Sequence, residues 1–127
     1  MKIVVLSCLV FSIVLNHYQV YGKKKVITIA VTEPATAIIR NLHCRMQMDR
    51  VFLDWTINNN QLVSQIEVES STDGENYAMA GLIFSTDKNG SDAYNFYERA
   101  KAAKIFYRLK IVHKDQAIRY SDIVSAA

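Results

Sequence analysis

The sequence predicts an all-β protein, an antiparallel β-sandwich of about seven strands, and three observations lead to that prediction. Short runs of alternating apolar and polar residues recur at even spacing, and turn-forming pairs such as Asp-Gly and Asn-Gly separate them. The chain of 127 residues has seven Tyr and five Phe, which favour strands. No segment keeps the 3.6-residue periodicity of an amphipathic helix.

The strand predicted over residues 51–57, VFLDWTI, has the clearest alternation. Leu53 and Trp55 fall on one face and Asp54 and Thr56 on the other. Successive side chains of a strand point to opposite faces, so we expect Leu53 and Trp55 in the core and the polar residues outside.

Two further segments, IEVESSTDGENY and IFYRLKIV, repeat the alternation with charged residues on the outer phase. The apolar phase predicts four more core residues, namely Ile66, Val68, Tyr107 and Leu109. The opposite phase has Glu67 and Glu69 in the first segment and Arg108 and Lys110 in the second, so these four are expected on a solvated face.

The first 22 residues have the order of a secretory signal peptide: a lysine, a short apolar run and small residues before a possible cut after Gly22. We therefore expect a signal peptide over residues 1–22, a leader or edge segment over 23–37 and the sandwich domain over 38–127. A buried N-terminal element, a lipidated Cys8 and a retained anchor stay open as alternatives. Cleavage would leave Cys44 as the single cysteine, and one cysteine forms no internal disulfide.

The charge pattern favours pairing within the chain over binding of nucleic acid. The net charge is +3, which is small for a nucleic-acid-binding domain. Residues 59–98 contain seven acidic residues and one lysine, whereas residues 99–119 contain seven Lys or Arg and one Asp. We expect no nucleic-acid partner and no membrane span once the signal is removed.

Four segments in order, FLDWTI, IEVESSTDGENY, FYRLKIV and RYSDIV, resemble a known family of modules. They are similar to the fibronectin type III-like β-sandwich modules, of the immunoglobulin-like class, that precede sorting domains in type IX-exported bacterial surface proteins. The resemblance covers residues 51–124 and implies that the third strand lies beside the sixth, which would pair Glu67 and Glu69 with Arg108 and Lys110. Gln116 stands where the family has Gly after Asp115, so we expect a different turn geometry there.

No segment predicts a catalytic, cofactor or metal site. Glu67 and Glu69 lie on an open strand, whereas paired catalytic carboxylates line a cleft. The sequence contains no glycine-rich phosphate loop or nucleophile elbow, and its histidines lack neighbours at metal-ligand spacing. We expect no cofactor and no enzymatic activity, and a small hydrolase is the third-ranked class.

Phe52, Tyr97 and Phe106 fall on the outer phase of their strands and form a possible partner-binding patch if they are exposed together. Coverage by a leader strand or a loop is the alternative and is slightly favoured. The predicted function is an exported, non-catalytic module with a structural or protein-interaction role at the cell envelope, secreted, periplasmic or on the cell surface. The partner would be an envelope or extracellular protein. The alternative is a carbohydrate-binding or adhesive module that uses the exposed aromatics on a glycan.

Overall fold

The computed structural model describes residues 27–127 and the backbone of His17–Tyr18. The chain consists of two units, Met1–Ala35 and Thr36–Ala127. In the first unit β1 (His17–Tyr18) pairs antiparallel with β2 (Ile27–Thr28). The rest of the predicted signal peptide lies outside the described residues. In the expected leader or edge segment over residues 23–37, β2 covers two residues and residues 29–37 form no regular element, whereas residues 23–26 lie outside the described residues.

The second unit is built almost entirely of strands. They are β3 (Ile38–Gln47), β4 (Arg50–Asn58), β5 (Val63–Ser71), β6 (Ala78–Phe84), β7 (Asp92–Arg99), β8 (Ile105–His113), β9 (Ile118–Tyr120) and β10 (Val124–Ala126). A single 3-10 turn, Asn60–Leu62, joins β4 to β5. No α-helix is present in the part of the chain that the structure describes.

The eight strands form two antiparallel sheets, as a β-sandwich requires. One sheet has the order β3-β4-β7, and the other has β10-β8-β5-β6 with β9 also on β8. β9 and β10 pair with different parts of β8, and Ser121 bridges the gap between them. Its N–H donates to the Leu109 carbonyl oxygen at 2.9 Å, and its hydroxyl accepts from the Leu109 N–H at 2.8 Å.

The core lies between the inner faces of the two sheets. The six residues predicted for it are at most 2% exposed: Leu53, Trp55, Ile66, Val68, Tyr107 and Leu109. Trp55 stacks on Tyr94, with ring centroids 6.0 Å apart and ring planes at 12°. Gly81 lets β6 pack closely against Phe96 of β7, because a Cβ at position 81 would lie 2.5 Å from the Phe96 ring.

A buried polar cluster holds one end of the unit together. Asn60 is fully buried; its side-chain carbonyl accepts from the Tyr94 hydroxyl at 2.6 Å, and its amide donates to Thr86 Oγ1 at 3.1 Å and to the Lys88 carbonyl at 3.0 Å. These bonds tie the β6–β7 connection to the turn after β4. Every polar atom of the Asn60 side chain therefore has a partner, as burial demands.

The turn at Gln116 has a non-glycine residue in a conformation that glycine favours. Gln116 has a φ of 71°, in the left-handed region that glycine adopts most easily. The Asp115 carboxylate accepts from the Ala117 N–H at 3.0 Å, and the Gln116 N–H donates to the His113 carbonyl at 3.0 Å. Local hydrogen bonds thus hold a non-glycine residue in the left-handed conformation.

Candidate functional site

The two glutamates of β5 are paired with the two cations of β8. Glu67 lies opposite Lys110 and Glu69 opposite Arg108 in the strand register. Lys110 Nζ donates to Glu67 Oε2 at 2.9 Å, and Arg108 Nε donates to Glu69 Oε2 at 2.6 Å. Opposite charges directly across an antiparallel pair stabilise the sheet, so both carboxylates contribute to the stability of the fold.

The surroundings of Glu67 differ from the expected solvated face, because Glu67 is 9% exposed. β5 is an inner strand of its sheet, and its neighbours on both sides cover the carboxylate, an effect that alternation along one strand does not reveal. The hydrogen bond from Lys110 lowers the pKa of Glu67, and the same bond raises the pKa of Lys110. Both groups are therefore charged at neutral pH.

Arg108 also lies between two aromatic rings. Its guanidinium carbon is 4.2 Å from the centroid of Tyr77 and 4.6 Å from that of Tyr120. A guanidinium over the face of a tyrosine is attracted by the ring quadrupole. The three side chains, with Glu69, thus join β8 to β9 and to the segment before β6.

The three outer-phase aromatics do not form one patch. Phe52 and Tyr97 lie opposite each other in register on β4 and β7, and their rings stack at 6.1 Å between centroids. Phe106 lies on β8 in the other sheet, where the Lys104 ammonium is 5.1 Å from its ring centroid. The structure therefore brings together Phe52 and Tyr97, hereafter the Phe52–Tyr97 pair, and leaves Phe106 on a different face.

Polar and cationic groups surround the Phe52–Tyr97 pair. The Arg45 guanidinium lies 5.2 Å from the Phe52 ring centroid and contacts Asp54 at 3.5 Å. Asp54 also contacts His43 Nδ1 at 3.3 Å. Tyr97 is 60% exposed, so one aromatic of the pair is open to a ligand.

A second candidate surface was not predicted from the sequence. β6 pairs with β5 on one side and is the end strand of its sheet in the described topology. It exposes Met79, Leu82 and Phe84 by 59%, 44% and 69%. The signal was present, because residues 78–84 read AMAGLIF with apolar residues on both phases and no charge.

A cleft of about 380 Å³ lies between β3 and the β9–β10 segment. The cleft lies beside the register shift of β3 between Arg40 and His43, where Asn41 has a φ of 53°. Its lining mixes apolar and polar residues, which are Ile38, Ile39, Asn41, Leu42, Tyr120, Ser121, Asp122 and Val124.

The Cys44 thiol is partly buried, and the Asp73 carboxylate is occupied by hydrogen bonds. Burial raises the pKa of the Cys44 thiol to about 11, so the reactive thiolate is scarce at neutral pH. Asp73 accepts hydrogen bonds from Ser71 and from the residues after Gly74, and these bonds lower its pKa. Across the described residues no three His, Cys, Asp or Glu side chains are grouped as metal ligands, and no helix is long and apolar enough to cross a membrane.

The fold and its surfaces define a two-sheet β-sandwich protein, and the comparisons with known proteins agree with that class. No family model and no curated protein matches the sequence. The structure is similar to that of a DUF3823 family protein from Bacteroides ovatus ATCC 8483, with a TM-score of 0.52 and 13% sequence identity.

The match covers 84% of this chain and 65% of the solved chain. This chain thus spans a little less than two thirds of the length of the solved protein. At this identity the similarity supports the fold and carries nothing on activity or ligand.

Proposed function

We propose that this chain is an exported, non-catalytic, fibronectin III-like module that binds a protein partner at the cell envelope through β6. The observation that carries the proposal is the row formed by Met79, Leu82 and Phe84 on an end strand. Contiguous exposed apolar residues mark interaction sites, and a strand edge offers backbone hydrogen bonds to a partner strand.

The strand order supports the fibronectin III-like assignment. A three-stranded sheet built from the first, second and fifth main strands faces a sheet in which the third strand lies beside the sixth. The two strands of that second sheet carry the paired charges that the resemblance implied. The proposal of export rests on the order of residues 1–22 in the sequence.

Charged substitutions on β6 test the interaction. In extracts of the producing cell, the wild-type chain is expected to migrate in an assembly larger than the free mature chain, which itself is below the 14.5 kDa of the full sequence. Leu82→Lys combined with Phe84→Glu should shift it to the mass of the free chain without unfolding it, since both side chains point to solvent. Met48→Lys is the matched control, because Met48 is an isolated apolar residue that is 92% exposed.

An unchanged assembly in the β6 variant would contradict the proposal. So would an equal loss in the Met48→Lys control, which would indicate a general effect of added charge. Circular dichroism of each variant establishes that the sheets are retained.

A second candidate function is glycan binding, and the Phe52–Tyr97 pair, of which Tyr97 is 60% exposed, favours it. Aromatic faces next to hydrogen-bonding side chains present the apolar and polar groups that a sugar needs. Tyr97→Ala should then reduce retention on immobilised glycans, whereas Phe106→Ala, on the other sheet, should not.

A further inference from the structure

The outer face of the three-stranded sheet has an excess of positive charge around the Phe52–Tyr97 pair. Four arginines point to this face by strand alternation: Arg40 and Arg45 on β3, Arg50 on β4 and Arg99 on β7. Two carboxylates, Asp49 and Asp54, accompany them. We call this surface the basic face.

The arginines lie on both sides of the aromatic pair. Arg50 and Arg99 are opposite each other in register, one step of two residues from the row that contains Arg45, Phe52 and Tyr97. Arg40 is opposite Thr56 at the other end of the face. From Arg50 to Thr56 β4 extends about 20 Å, so the face fits a chain of several units better than a single small molecule.

Two of these cations are available to a ligand. Arg99 pairs with Asp49 at 3.1 Å and Arg45 contacts Asp54 at 3.5 Å. Arg40 and Arg50 are exposed and have no ion pair among residues 27–127. An exposed guanidinium binds a carboxylate through two parallel hydrogen bonds, which gives the face a preference for planar anionic groups.

The row beside the aromatic pair adds hydrogen-bonding groups. His43, Asp54 and Asn95 are opposite one another across the three strands, directly next to the Arg45–Phe52–Tyr97 row. Together they provide acceptors and donors suited to hydroxyl groups. A nucleic-acid chain is the less favoured ligand, because the two rings stack on each other instead of offering two separate platforms for bases.

We propose that the basic face binds an acidic polysaccharide, a chain of sugars that carries carboxylate groups. Tyr97 stacks on the apolar face of one sugar, the His43–Asp54–Asn95 row binds its hydroxyls, and Arg50 and Arg40 bind carboxylates on either side. This inference rests on the second candidate function and specifies its ligand class. The binding of a protein to β6 is independent of it.

The test uses a hexasaccharide of galacturonic acid and the same hexasaccharide with its carboxylates methyl-esterified. Isothermal titration against the full chain should give binding of the acid form that is at least about tenfold tighter than that of the ester, and that weakens with added salt. Arg50→Gln and Arg40→Gln should each weaken acid binding about two- to fivefold. Tyr97→Ala should weaken it about tenfold.

Lys104→Gln is the matched control, because Lys104 also lies over an aromatic ring, that of Phe106, but on the other sheet. Its acid binding should be unchanged. A loss equal to that of Arg50→Gln would overturn the assignment of the basic face.

The remaining outcomes separate this inference from the function on which it rests. Equal binding of acid and ester, lost in Tyr97→Ala, would overturn the acidic ligand and leave glycan binding in place. Binding of neither would overturn both. Tighter binding of a single-stranded oligothymidine of similar length would overturn the polysaccharide and assign the basic face to nucleic acid.

Discussion

Trp55 is the largest side chain in the core. It is 2% exposed and stacks on Tyr94. Trp55→Ala should lower the free energy of unfolding by about 3–5 kcal/mol, because it removes buried apolar area and leaves a cavity. Trp55→Phe should cost less, because it fills much of the space and removes an indole N–H that has no partner among the described residues. Urea unfolding followed by circular dichroism measures both, and equal losses would contradict this account of the core.

Glu67 contributes stability through its charge. Its folded pKa is lowered by Lys110, so this stability is present above the ordinary glutamate pKa of about 4.3 and is lost as the pH falls through the lower folded value. Glu67→Gln should therefore be less stable than the wild type at pH 7, and the gap should narrow in acid. Urea midpoints from pH 7 downwards test this, with the exposed Glu75→Gln as control; a gap that does not change with pH would contradict the role of the ion pair.

Individual residues were predictable from the sequence where one strand's alternation decides the outcome. Leu53 and Trp55 alternate with Asp54, and the structure has them inside. Burial of Glu67 depends on the strands to either side of β5, and alternation along β5 holds no information on them. The left-handed conformation of Gln116 was not predicted for a related reason. Hydrogen bonds within the turn stabilise a conformation that a non-glycine residue disfavours on its own.

The turn between β4 and β5 depends on Asn60, whose buried side chain bonds three groups. Asn60→Ala should destabilise the unit by about 2–4 kcal/mol, because it removes the side-chain oxygen that accepts from the Tyr94 hydroxyl and the amide that donates to the Lys88 carbonyl. Asn58→Ala is the control, since Asn58 bonds Ser91 in an exposed position. Thermal unfolding of both variants measures the difference, and a loss as small as that of the control would show that the cluster is dispensable.

At the scale of elements, the sequence predicted the strands with clear alternation. It did not reveal that β6 lies at the end of its sheet. The periodicity of residues 51–57 and 105–112 predicted β4 and β8 within a few residues. The place of β6 at the end of a sheet follows from pairing that its own residues do not specify. In the described topology, β2 pairs with β1 over two residues.

Across the whole molecule, alternation assigns a residue to a face of its own strand and leaves open which sheet the strand joins. This is why Phe106 was grouped with Phe52 and Tyr97. The chain passes from one sheet to the other between β4 and β5 and again on either side of β7, so residues with the same phase are distributed over two outer faces. The basic face was missed for the same reason, because its arginines come from three separate strands.

Export is a prediction about the whole chain. Expressed with its own N-terminus in a Gram-negative host, the protein should lose residues 1–22 and be recovered from the periplasm or medium with Lys23 as its first residue. Intact mass of each cell fraction measures this. A full-length chain in the cytosol would contradict export, and a lipidated Cys8 in the membrane fraction would replace the signal peptide with an anchor.

The most direct test of the central claim is site-specific photo-crosslinking in the producing cell. A photoreactive phenylalanine analogue replaces Phe84 on β6 in one variant and the exposed Met48 in the control. We expect a discrete protein adduct from position 84 and none from position 48. If position 84 gave no adduct, or both positions gave the same one, β6 would not be the binding surface and the proposed interaction would be wrong.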